Sequence, residues 1–70
     1  MKHLIQNTAT RKYFAHGDWT PDVSQAQNFR TPLTAISFSI QNNLRNVEMV
    51  LMLGNEPSPA NDIRLPLTAS

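Results

Sequence analysis

The sequence predicts an α+β fold: a small β-β-α-α-β domain whose antiparallel sheet carries two short helices on one face and an extended C-terminal tail. Three observations predict it. Two strand-like segments flank a polar turn near the N-terminus, two Thr-Pro steps open helical stretches in the middle, and residues 46–53 alternate as a strand.

Residues 2–6 and 11–15 form the predicted hairpin, separated by Asn7-Thr8-Ala9-Thr10, whose side chains favour turns by bonding nearby backbone. Gly17, within His16-Gly17-Asp18, is the natural site for a positive φ. Thr20-Pro21-Asp22 then reads as a helix start, with Thr20 capping, Pro21 in the first helical position and Asp22 at the positive end of the dipole. A short helix is expected to about Asn28, laying Val23, Ala26 and Phe29 on the hairpin. Thr31-Pro32 repeats the signal. Leu33, Ile36, Ile40 and Leu44 follow at helical spacing, and Asn42-Asn43 supplies a left-handed stop. The rival pattern is the strict alternation of Ile36-Ser37-Phe38-Ser39-Ile40, but the bracketing by a capped start and an Asn stop favours the helix. Phe38 then lies off the main stripe and requires its own partner.

In the predicted strand, Val47, Met49, Leu51 and Leu53 occupy one face, and Glu48, Val50 and Met52 the other. Both faces are mostly apolar, so Val50 and Met52 require a second cover. Residues 1–54 are read as one domain and residues 55–70 as a Pro-containing tail, in which Ile63, Leu65 and Leu67 alternate and Pro66 permits an edge strand at most.

Composition narrows the function classes. The 70-residue chain has no Cys, which excludes disulfides and thiolate zinc and fits a reducing cytoplasm. The N-terminal segment lacks a signal-like apolar run, and no 18-residue apolar stretch occurs, so a cytoplasmic protein without a membrane span is expected. Six basic residues against five acidic ones leave a net charge of +1, without the basic face expected of a duplex binder.

Residues 13–29 hold the only Trp, the only Tyr and two of the three Phe, marking a folding centre in which Trp19 is expected to be mostly buried. Lys12-Tyr13-Phe14, Gly17-Asp18-Trp19-Thr20, Asp22, Ala26, Phe29 and Ala35 resemble a loose set of small bacterial and phage-associated proteins of unassigned function. That set shares an aromatic strand, a G-x-W-T-x-D turn and an A-x-x-F helix, followed by a second helix and a hydrophobic strand. The match spans about residues 4–53. The resemblance implies a compact α+β fold and carries no catalytic residue.

His16 and Asp18 are the nearest approach to a catalytic pair, since a carboxylate orients an imidazole, but no nucleophile or second acid stands at a fixed spacing from them. A solvated turn histidine is the simpler reading. His3, His16, Asp18 and Asp22 lack ligand spacing for a metal, and two glycines 37 positions apart build no phosphate loop. No catalytic residue, metal or cofactor is therefore assigned. The reading is a non-enzymatic interaction or accessory module acting as a homodimer, with its interface among Val47, Met49, Val50, Met52, Ile63, Leu65 and Leu67. The alternative is a nucleic-acid-binding regulator using Arg11, Lys12, Arg30 and Arg45, and an enzyme built on His16 and Asp18 ranks last.

Overall fold

Polar turn chemistry places the first strands. The computed structural model describes residues 2–54, 58 and 61–67. β1 (Lys2–Asn7) leads into β2 (Tyr13–Ala15) through a loop that Asn7 organises. Its side-chain oxygen accepts from the amides of Ala9 (2.8 Å) and Thr10 (3.0 Å), and its carbonyl accepts from the amide of Arg11 (2.8 Å). The next connection is a two-residue hairpin with His16 at φ 48° and Gly17 at φ 93°, the paired positive angles of a type I′ turn. That turn sends Asp18–Thr20 back along β2 as β3, with Phe14 opposite Trp19.

The predicted first helix is therefore corrected. Residues 18–20 are a strand, and only a single 3-10 turn, Val23–Gln25, follows. Asp22, rather than Thr20, caps it, accepting from the Ser24 amide at 2.9 Å. The Thr20 hydroxyl accepts from the Asp22 amide at 3.1 Å, one residue too early to start the turn. The Ser24 hydroxyl and then the Ser24 amide bond the Asp22 carboxylate, holding its pKa below the ordinary carboxylate value. Ala26 to Phe29 is not helical either, because the chain is spent on sheet hydrogen bonds there. The Gln27 amide donates to the Phe14 carbonyl (2.9 Å) and the Phe29 amide to the His3 carbonyl (2.8 Å). The His3 amide in turn donates to Asn28 Oδ1 (3.0 Å). This segment wedges between the diverging ends of β1 and β2 and carries the chain from one sheet face to the other.

α1 (Pro32–Gln41) obeys its start and stop signals. Thr31 caps it by accepting from the Thr34 amide at 3.1 Å, Pro32 occupies the first turn, and Asn42 ends it before Asn43 turns left-handed at φ 52°. Thr31→Ala is expected to destabilise the fold by about 1 kcal/mol, measured as a shift in urea midpoint at unchanged slope. Alternation of Ile36, Phe38 and Ile40 loses to the capped helix. The inward face, however, is not Leu33-Ile36-Ile40: Ala35 and Ser39 are buried, whereas Leu33 and Ile40 are exposed. Small residues let the helix backbone sit close to the sheet, and Phe38 fills the remaining space against Phe14 and Phe29, each with ring centroids 5.1 Å away. The buried Ser39 hydroxyl is satisfied by the Ile36 carbonyl at 2.8 Å.

β4 (Val47–Met52) and β5 (Ile63–Pro66) complete one five-stranded antiparallel sheet in the order β3-β2-β1-β4-β5. The chain is thus a small α+β fold with one sheet and one α-helix among the described residues, in the order β-β-β-α-β-β rather than β-β-α-α-β. Part of the predicted tail is a sheet strand; residues 55–57, 59–60 and 68–70 lie outside the described residues.

The core has two halves, one on each sheet face. On the helix face, Ile5, Phe14, Val47 and Met49 pack with Phe29 and Ala35. On the other face, Leu4, Tyr13, Val50 and Met52 pack beneath Val23 and Ala26 of the crossing segment. This second cover accounts for the apolar alternation on both sides of β4. Trp19 lies on an edge strand, partly buried against the helix-face core as expected of a mostly covered ring, and meets Phe14 edge-on at 5.4 Å.

Candidate functional site

A helix packed through small residues leaves its larger apolar side chains unused, and this defines the most distinctive surface. Among the described residues, the exposed large hydrophobics are Leu33 (71%), Ile40 (67%), Leu53 (55%), Ile63 (51%) and Leu65 (43%). Leu33 and Ile40 stand two turns apart on α1, with half-buried Ile36 between them. Paired residues of an antiparallel sheet share a face. Leu65 opposite Met49 and Ile63 opposite Leu51 therefore project to the helix side. Leu53 continues the alternation of Met49 and Leu51 just beyond β4.

A groove of about 680 Å³ lies between the end of α1 and Leu67, just past β5, lined in part by Ile40, Leu44 and Arg45. α1 itself contains no charged residue. An outward helix face normally carries charge, so a neutral face bearing Leu and two Ile is unusual for surface in contact with water.

The opposite face is finished differently. Beyond the cover of Val23 and Ala26, Gln6, Glu48 and Arg64 stand side by side on β1, β4 and β5. Arg64 Nη1 bonds both Gln6 Oε1 and Glu48 Oε1, the latter at 2.6 Å. Arg11 Nη1 lies 3.5 Å from the same Glu48 oxygen, while Gln6 Nε2 donates to the Arg11 carbonyl at 2.9 Å. This network ties β5 to β1 and β4.

The interface residues expected on β4 are not surface residues. Val47, Met49, Val50 and Met52 are buried within the chain, because α1 covers one side of the strand and the crossing segment the other. Of the tail residues, Ile63 and Leu65 are exposed and Leu67 is half-buried against the helix-face core. Leu33, Ile36, Ile40 and Leu53 join them on that side. Their spacing was visible in the sequence, but an apolar i, i+3, i+7 stripe reads as core until the packing face is known.

His16 and Asp18 are both exposed at the tip of the β2-β3 hairpin. The Asp18 carboxylate accepts from the Trp19 amide at 2.8 Å, and the His16 amide donates to Gln27 Oε1 at 3.2 Å. These bonds hold the hairpin tip and the segment beside it. His3 is elsewhere, its Nδ1 3.0 Å from the Phe29 carbonyl, and among the described residues no three His, Asp or Glu gather to hold a metal ion.

The four candidate phosphate contacts are divided between the two ends of α1. Arg30 precedes the helix, whereas Arg45 follows it on the side where the Thr8 amide and hydroxyl both donate to the Asn46 carbonyl (2.7 and 3.0 Å), near the Arg11-Lys12 turn. Arg11 is already shared with Glu48. Among the described residues, no helix is long and apolar enough to cross a membrane. Compared with models of known protein families, with curated proteins and with solved structures, the chain matches none.

Proposed function

We propose that the protein is a non-enzymatic interaction module that acts as a homodimer through the helix-bearing side of its sheet. One observation carries this reading: among the described residues, the five exposed large hydrophobics belong to that side, next to a helix without charge. Together they expose on the order of 500 Å² of apolar surface, near the upper range for a monomer's largest patch. Pairing two such patches buries roughly 1,000 Å² in total, the lower bound for a specific interface. α1 itself carries no charge, so its outward side meets a second copy without like-charge repulsion along the helix, with Arg30 and Arg45 confined to its two ends.

The test is thermal unfolding at varied protein concentration. For a dimer whose pairing is coupled to folding, the midpoint rises by several degrees between about 2 and 200 µM by mass action. Ile40→Glu, at an exposed position, should leave a folded chain whose midpoint no longer depends on concentration. A concentration-independent midpoint in the unaltered protein would count against the proposal.

A further inference from the structure

The apolar side of the fold admits two ways of pairing copies: edge to edge through a sheet strand, or face to face through the helix. The backbone argues against the first. The Leu67 amide donates to the Val47 carbonyl at 3.2 Å, which sets the phase of the β4-β5 ladder. Ile63, Leu65 and Leu67 therefore direct their backbone groups inward to β4, while Asp62, Arg64 and Pro66 direct theirs outward. Pro66 has no N–H, and the Asp62 amide already donates to the Ser58 carbonyl at 2.7 Å. Among the described residues of this edge, Arg64 alone is left with an outward donor, too little to extend a sheet. The other edge, β3, is three residues long.

Helix pairing meets no such obstacle. Leu33, Ile36 and Ile40 follow the i, i+3, i+7 spacing of a helix-helix seam. Flanking them are Thr34, Ser37 and Gln41, small or neutral side chains that let two helices approach.

We infer that two copies join by antiparallel packing of α1 on α1 about a two-fold axis passing between Ile36 and Ser37, leaving both sheet edges free. Leu33 of one copy then packs on Ile40 of the other, and Ile36 packs near its own symmetry mate. The antiparallel arrangement also sets the two helix dipoles in opposition, with each N-terminus beside the other copy's C-terminus.

This inference rests on the homodimer reading, and the experiment separates the two. The chain has no Cys, so single-cysteine variants report one position at a time. Ser37→Cys places a thiol beside the proposed axis; Arg64→Cys places one where an edge-paired dimer would meet itself. Under mild oxidation at micromolar protein, the Ser37→Cys chain should form covalent dimer at least about tenfold faster than the Arg64→Cys chain, because adjacent thiols experience a millimolar effective concentration. Sedimentation of each reduced variant gives its oligomeric state independently. A dimeric chain that cross-links faster through Arg64→Cys, or through neither variant, overturns helix pairing while leaving self-association intact. Monomeric reduced variants alongside a monomeric unaltered chain overturn both.

Discussion

Phe14→Ala is expected to cost about 3 to 5 kcal/mol, the range for deleting a large buried aromatic. Phe14 is buried at the centre of the helix-face core, with Trp19 edge-on at 5.4 Å and Phe38 at 5.1 Å. Phe38 in turn contacts Phe29, so removing the Phe14 ring leaves a cavity that β3, α1 and the crossing segment all border. A core of this size supplies roughly 3 to 5 kcal/mol in total. The variant should therefore be largely unfolded at 25 °C, read by circular dichroism and urea titration. Trp19→Ala should cost less, because that ring is only partly buried whereas Phe14 is buried. The reverse order would place the aromatic centre on β3 and contradict the packing described.

Leu4→Ala is expected to cost about 2 to 5 kcal/mol, although Leu4 points away from the only α-helix among the described residues. It is fully buried on the opposite sheet face with Tyr13, Val50 and Met52, beneath Val23 and Ala26. The size of the effect tests whether the crossing segment is a true second layer. A loss under about 1 kcal/mol, typical of a surface change, would mean that this face is open to water in solution. Chemical denaturation with an unchanged slope would confirm that the loss is in stability rather than in the extent of unfolding.

The sequence was most legible where a side chain acts on its own backbone. Asn7 closing the first turn, Thr31 capping α1, Asn42 and Asn43 ending it, and Gly17 taking a positive φ are local effects that require no knowledge of the fold. Alternation in β4 also predicted correctly that both faces need cover. What failed depends on long-range pairing. Thr20-Pro21-Asp22 has the chemistry of a helix start, but the type I′ turn at His16-Gly17 commits residues 18–20 to the sheet first. Residues 26–29 were equally compatible with a helix. Their bonds to Phe14 and His3 exist only once β1 and β2 have diverged.

The candidate site was obscured for a related reason. Periodicity identified Leu33, Ile36 and Ile40 as one helical stripe, yet could not indicate which stripe faces the sheet. Ala35 and Ser39 carry little hydrophobicity, and their advantage is close approach, which appears only when Phe38 is seen to reach Phe14 and Phe29. The stripe with the strongest apolar signal therefore reads as core until the packing face is known.

The most direct test of self-association is sedimentation equilibrium of the unaltered chain from about 1 to 200 µM, where standard interfaces of modest size dimerise. Self-association makes the average mass climb with concentration from 7.9 kDa toward twice that value. A mass fixed at 7.9 kDa across the whole range would contradict it.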